Sequence, residues 1–218
     1  QPFTKVSCSP KTPQEIIQQG LYYGAYKTNQ GWSSGLAILG LAGNLWNDID
    51  PKDKNLFLVH GLTQIGRRTG GGSRRRRYPF PNSGQDQDLI TLKRWFRTAV
   101  MQRHHGAAER ILLTLHDRKY GKEVLADFVF SAATDYYFTG DGHALDFANK
   151  VFEGLDYVEW VGAHEIMRPI VVDLINRTRH EETSRWADSV PVLEDIFGRL
   201  DSIWEENQSH SAELDISA

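Results

Sequence analysis

The chain has 218 residues, 40% of them hydrophobic, and this length is enough to bury the core of one substantial domain. The single cysteine, Cys8, excludes an internal disulfide and a cysteine-based zinc site, and it fits a reducing compartment such as the cytoplasm. No apolar run approaches the roughly 20 residues that a membrane-spanning helix needs, so we expect no membrane span.

The first predicted element is a helix whose start is marked by three consecutive signals. Thr12 supplies an N-cap, Pro13 a first-turn proline and Glu15 the acid of a capping box. Ser33 or Ser34 is placed to cap a second helix, which carries leucines at helical spacing. These signals together predict a helical N-terminal half.

A third helix, predicted over residues 53–65, leads into a strongly basic segment. The formal net charge of the chain is −3, yet residues 67–77 contain six arginines and no acid. Glycines and prolines accompany them, so we predict a solvated, mobile loop over residues 67–87. With Tyr78 as the nearby aromatic residue and no recognition motif, we do not expect nucleic-acid binding. An acidic protein surface is the alternative partner for this loop.

The rest of the chain also favours helices, and no alternating strand pattern or hairpin signal accompanies them. Asp88 precedes a helix with one apolar face and basic residues opposite. The fold prediction is therefore all-α, with a single multi-helical domain over residues 1–205 and a polar tail over 206–218. Later helices are predicted at about 121–137, 144–154, 157–175 and 191–204, and Pro169 is expected to kink or end the third of them.

The stretch from Ala132 to Lys150 has the highest density of candidate functional groups. Asp135, Asp141, His143, Asp146 and Lys150 all fall there, between two apolar helical runs, so we expect them to be carried toward the interior. The last three stand at i, i+3 and i+7 and would share one helix face. A bound metal or a hydrogen-bond network would satisfy such groups.

Histidines are spread over several predicted helices, which is how helical metal proteins direct ligands inward. His60, His143 and His164 are candidates of this kind, and imidazole ligands with open positions suit iron, although zinc is an alternative. Structural roles compete with this interpretation: a core histidine bonded to a carbonyl at His60, and a salt bridge to Asp146 at Lys150. No phosphate-binding loop, dinucleotide fingerprint, nucleophile elbow or zinc-protease helix is present.

Three segments carry a resemblance to a known family. Residues 35–62 (GLAILGLAGNLWNDIDPKDKNLFLVHGL), 92–115 (LKRWFRTAVMQRHHGAAERILLTL) and 126–156 (ADFVFSAATDYYFTGDGHALDFANKVFEGLD) resemble the helical domain of questin oxidase-like proteins. They are also similar to the related bacterial domain often joined to a Rieske module. Some questin oxidase-like proteins oxidise or open aromatic polyketide rings with dioxygen, and one arrangement is a non-haem iron held by histidines and a modified lysine.

The resemblance implies a non-haem iron oxidoreductase, or a subunit of one, acting on an apolar aromatic substrate. It implies iron ligands at His60, His143 and His164, and catalytic roles for Asp135 and Lys150. Tyr136 stands where the family pattern has a histidine, and the family domain is longer. We therefore expect a homo- or hetero-oligomer in which a second chain completes the domain. The alternative function is a non-catalytic helical subunit that docks on a partner protein complex.

Overall fold

The computed structural model describes residues 11–28, 31–69, 87–137, 139–183 and 185–211, and it confirms the all-α prediction. No strand occurs in these segments, which contain one isolated bridge between Thr139 and Arg179. The helices are α1 (Pro13–Lys27), α2 (Ser34–Asn44), α3 (Lys54–Thr69), α4 (Leu89–Met101), α5 (His105–Asp117), α6 (Lys122–Ala133), α7 (His143–Tyr157), α8 (Ala163–Ile166), α9 (Arg168–Asn176), α10 (His180–Thr183), α11 (Val190–Gly198) and α12 (Leu200–Ser211).

One predicted helix cap is confirmed by its hydrogen bonds, and the structure shows a second one at the start of α4. The Glu15 backbone N–H donates to the Thr12 hydroxyl at 3.2 Å, and the Thr12 backbone N–H donates to the Glu15 carboxylate at 2.8 Å. This is the reciprocal pair of a capping box. Asp88 caps α4 by accepting from the Thr91 backbone N–H at 2.7 Å, and that hydrogen bond lowers the pKa of the Asp88 carboxyl below its ordinary value.

Helix α2 lies between α3 and α7, and glycines allow it to approach both closely. A Cβ on Gly35 would stand 2.6 Å from the Ile65 backbone nitrogen in α3. One on Gly40 would stand 2.6 Å from the Lys150 carbonyl oxygen in α7. Around these contacts runs one continuous core, whose largest fully buried side chains are Phe96, Phe128, Ile17, Leu21, Leu36, Leu39, Ile65, Leu115, Leu125, Leu155, Ile166 and Ile170.

The helix predicted over 157–175, with a kink or end at Pro169, is wrong in its first part, because the chain breaks before residue 163. Residues 158–162 form a turn, in which the non-glycine residues Glu159 and Trp160 have φ of 53° and 61°. The Trp160 side chain holds this turn by donating its Nε1–H to Asp156 at 2.7 Å. Pro169 occupies the first turn of α9, where its missing N–H costs nothing.

The predicted loop and tail differ from the structure at their edges. Helix α3 continues through Thr69, so Arg67 and Arg68 are helical, whereas most of the predicted loop, residues 70–86, lies outside the described residues. Helix α12 runs to Ser211, so the first part of the predicted tail is helical too. None of the helices in the described segments is long and apolar enough to cross a membrane.

A charged cluster is buried within the helical core. The Arg168 guanidinium donates from Nε to Glu109 at 2.7 Å and from one terminal nitrogen to Glu165 at 2.8 Å. All three side chains are at most 4% exposed. Because charges are costly to remove from water, this cluster depends on its internal hydrogen bonds.

Candidate functional site

A cavity of about 680 Å³ lies where α2, α7 and α9 meet, with the end of α3 at its edge. Its walls combine apolar and aromatic side chains with a set of cations and two acids. Such a mixture of apolar surface and a few convergent polar groups is typical of small-molecule sites. The lining residues are Thr28, Gly31, Trp32, Ser33, Ser34, Ala37, Ile38, Leu41, Arg68, His143, Asp146, Phe147, Lys150, Val172, Asp173, Asn176 and Arg177.

Asp173 fixes one side of this cavity. Its carboxylate is buried, accepts from the Arg177 guanidinium at 2.6 Å, and accepts from the backbone N–H of Trp32. Gly31 has a φ of 95°, and a Cβ there would stand 2.6 Å from an Asp173 oxygen. Glycine is therefore required at position 31, both by the left-handed backbone and by this close contact. Asp173 thus ties the segment before α2 to α9.

Two residues that line the cavity each have a buried side-chain donor with no hydrogen-bond partner among the described residues. Trp32 is 2% exposed and its indole Nε1 has no acceptor, although a buried indole N–H usually finds one. The Nε of Arg177 is also buried without a partner. The Arg177 guanidinium stacks on the Phe147 ring at 5.1 Å. Unpaired buried donors are rare and costly, so an acceptor that reached these two would be stabilising.

Helix α7 contributes the predicted stripe to the opposite wall. His143, Asp146 and Lys150 all line the cavity, which confirms that they share one face. His143 follows Gly142, whose φ is 86°, and its ring stacks on Phe147 at 5.5 Å. The expectation that these groups point inward is wrong for His143 and Asp146, which are exposed. Lys150 is half-buried and pairs with Glu153 on the same helix at 2.8 Å.

The N-terminus of α2 adds a further positive element. Ser33 is the N-cap, but its side chain makes no capping hydrogen bond, and Ser33 and Ser34 both line the cavity. The first N–H groups of a helix have no partner within it, and the helix dipole places partial positive charge there. The cavity therefore combines three cations, two of them paired with acids, with the partial positive charge of a helix N-terminus.

Asp135, predicted as catalytic, lies elsewhere. Its carboxylate accepts two hydrogen bonds from the Nε of Arg97 in α4, at 2.9 and 3.0 Å. This pair raises the pKa of the Arg97 guanidinium, chiefly through the hydrogen bond and then through the charge of Asp135. Asp135 thus serves an ion pair between α4 and the end of α6.

The three predicted metal ligands are not brought together. His60 is exposed on α3, His143 lines the cavity, and His164 on α8 stacks on His116 with ring centroids 5.4 Å apart. Within the described part of the chain, no group of three or more histidine, cysteine or acidic residues is placed to hold a metal ion. The three imidazoles therefore do not form one ligand set here, and their role as ligands stays a prediction.

Several cavity residues were missed by sequence reasoning. Asp173 could have been predicted as a buried, paired residue, because a lone acid inside the apolar run IVVDLI must find a partner. Arg177 follows it by four residues, the spacing of a helical ion pair. Trp32 and Arg68 gave no such signal, since they reach the cavity only through the tertiary packing of α2, α3 and α9.

The described residues thus form a helical fold with a cavity of mixed polar and apolar lining between α2, α7 and α9. No protein-family model, no curated protein and no solved structure matches the chain.

Proposed function

We propose that this chain binds a small aromatic monocarboxylate in the cavity between α2, α7 and α9. The observation that carries the proposal is that two residues lining the cavity, Trp32 and Arg177, each have a buried, unpartnered donor, and that the cavity also holds Lys150 and the N-terminus of α2. A carboxylate has two acceptor oxygens and matches such donors directly.

Charge selects the valence of this ligand. Among the lining side chains, Arg68, Lys150 and Arg177 are cationic and Asp146 and Asp173 are anionic, and Lys150 is also paired with Glu153 outside the lining. With Glu153 included, the site carries no net charge when His143 is neutral, so a monoanion adds one negative charge to it whereas a phosphate dianion adds two. Repulsion from the two carboxylates further disfavours a doubly charged ligand.

The shape and polarity of the cavity favour a ligand whose apolar part is an aromatic ring. Phe147 offers a ring on one wall, and the apolar side chains Ala37, Ile38, Leu41 and Val172 line the same cavity. The free volume of about 680 Å³ lies within the range of pockets for drug-sized molecules. An aromatic ring beside Phe147, with its carboxylate toward Arg177, would use both halves of the lining.

Binding is testable by isothermal titration calorimetry with benzoate, 2-naphthoate and inorganic phosphate. We expect an aromatic carboxylate to bind and phosphate not to, and Arg177→Gln to weaken binding on the order of 10- to 100-fold, because a hydrogen bond to a charged group contributes about 1.5–3 kcal/mol. Arg199→Gln is the matched control, since Arg199 also pairs with an acid four residues earlier but is exposed.

A second variant separates binding from folding. Trp32→Phe keeps an aromatic ring and removes the Nε1 donor, so it should weaken the carboxylate while thermal unfolding remains cooperative. If neither aromatic carboxylate binds the wild type, or if both variants bind as the wild type does, the proposal is wrong.

A metal-dependent oxidoreductase is the second proposal, in which iron and dioxygen act on an apolar aromatic substrate. It is supported by the shared placement of His143, Asp146 and Lys150 beside an aromatic wall. Since His60 and His164 lie elsewhere, further ligands would have to come from outside the described residues or from a second chain.

Elemental analysis of the purified chain tests this second proposal. We expect close to one equivalent of iron or zinc in the wild type and a clear loss in His143→Ala. His116→Ala is the control, because His116 lies at a different surface beside α8. Metal far below one equivalent in the wild type, with no further loss in His143→Ala, would rule out a site at this histidine.

A further inference from the structure

The last two helices carry apolar side chains that nothing in the described chain covers. Helix α11 has no buried residue, and Val192, Phe197 and Leu200 are exposed. Trp204 in α12 is 66% exposed. Phe197 stacks on Tyr137 at 6.0 Å and so anchors the pair to the body. Large apolar side chains gathered on exposed helices are typical of an interaction surface.

The same two helices are acidic. Residues 190–207 contain Glu194, Asp195, Asp201, Glu205 and Glu206 against a single basic residue, Arg199. A surface of this kind combines aromatic anchors with negative charge. Its partner should therefore be apolar and basic.

A groove of that chemistry lies along α4. It has a volume of about 590 Å³, and Ile90, Arg94, Arg97 and Met101 recur along it at spacings of three and four. Lys93 also lines it, so the lining has three cations and one acid, Asp135. Arg97 pairs with Asp135 and Lys93 pairs with Asp127 outside the lining, which leaves one positive charge in excess. Ile90 is 83% exposed. The groove is thus an apolar strip edged by positive charge and open to solvent.

We propose that a second copy of this chain places its α11–α12 pair in the α4 groove, and that the exchange is reciprocal. Trp204 and Ile90 are both exposed, so the pair does not cover the groove of its own chain. Yet Phe197 contacts Tyr137, the neighbour of the groove residue Tyr136, so the pair leaves the body at the edge of its own groove. A two-fold axis beside that edge would let each pair reach the other groove and would close the assembly at two copies.

Opposite charges make the proposed contact dependent on salt. Exposed charges attract across the interface at low ionic strength and are screened as salt is added. We expect sedimentation velocity to show a dimer at 50 mM NaCl, with the dissociation constant rising at least tenfold at 500 mM NaCl. A monomer at 50 mM NaCl and micromolar concentrations overturns the proposal.

A charge exchange between two variants identifies the surfaces. Lys93→Glu/Arg94→Glu makes the groove acidic, and Glu194→Arg/Glu205→Arg/Glu206→Arg makes the helix pair basic, because it leaves two acids against four arginines. Each variant alone should dissociate at least tenfold more readily than the wild type. An equal mixture should recover the dimer, because both contacts of the mixed dimer again join opposite charges.

Lys52→Glu, at an exposed position in the turn before α3, is the control and should leave the dimer unchanged. If the groove variant alone dimerises like the wild type, the helix pairs contact each other or another surface and the groove is not the site. Failure of the mixture to recover the dimer likewise overturns the exchange. Circular dichroism of each variant checks that the helices are intact.

Discussion

Replacing Arg168 with methionine is expected to lower the free energy of unfolding by about 3–5 kcal/mol, the usual cost of removing one member of a buried charge cluster. Glu109 and Glu165 share this guanidinium and are buried on α5 and α8. Without it, two carboxylates remain in a region of low polarity, and one or both must take up a proton or draw in water. Such a loss is a large part of the total stability of a typical domain.

Urea denaturation followed by circular dichroism measures this loss through the midpoint and slope of unfolding. Arg199→Met is the matched control: its ion pair with Asp195 is exposed, so its removal should change stability by less than about 1 kcal/mol. The triple variant Glu109→Gln/Arg168→Met/Glu165→Gln removes every charge of the cluster and should recover part of the loss. An Arg168→Met protein as stable as the Arg199→Met protein would contradict the argument.

Local signals in the sequence were sufficient for the helix starts. Thr12, Pro13 and Glu15 lie within four residues, and Asp88 lies three residues before the N–H that it caps, so the interactions that define these starts are contained in short windows. The break after Tyr157 had no comparable signal. It places Glu159 and Trp160 at positive φ. Side-chain hydrogen bonds accompany that backbone: Trp160 donates to Asp156, and Gln14 in α1 donates to the Tyr157 carbonyl.

Of the residues that line the candidate site, the sequence predicted only those on one helix to lie on a common face. His143, Asp146 and Lys150 follow the period of α7, and their common face emerged from spacing alone. The contact between Trp32 and Asp173 joins residues 141 positions apart, so no window of sequence contains it. The predicted metal set failed to converge for a similar reason, because which faces of α3, α7 and α8 meet depends on packing.

Gly40→Ala is expected to lower the free energy of unfolding by about 1–3 kcal/mol, the range of overpacking costs. In an isolated helix this change would stabilise by up to about 1 kcal/mol, because alanine loses less conformational freedom than glycine. Here the new Cβ would meet the Lys150 carbonyl oxygen at 2.6 Å. A backbone atom within α7 cannot rotate away, so α2 and α7 must separate.

Gly66→Ala is the control for this steric contact. Gly66 lies inside α3, and a Cβ there meets nothing within 4 Å, so the same substitution should raise stability by about 0.5–1 kcal/mol. Urea denaturation should therefore show a lower free energy of unfolding for Gly40→Ala and a higher one for Gly66→Ala than for the wild type. Equal effects would mean that the α2–α7 approach is looser than described.

The separation of α2 from α7 also reaches the cavity, because the two helices form facing walls. Ser34 and Ala37 lie on α2, while His143, Phe147 and Lys150 lie on α7. If an aromatic carboxylate bridges these walls, Gly40→Ala should weaken it although Gly40 does not line the cavity. Calorimetry on Gly40→Ala and Gly66→Ala, at a temperature where both are folded, compares the affinities. A loss confined to Gly40→Ala would connect ligand binding to the spacing of these helices, and unchanged affinity would place the ligand on one wall alone.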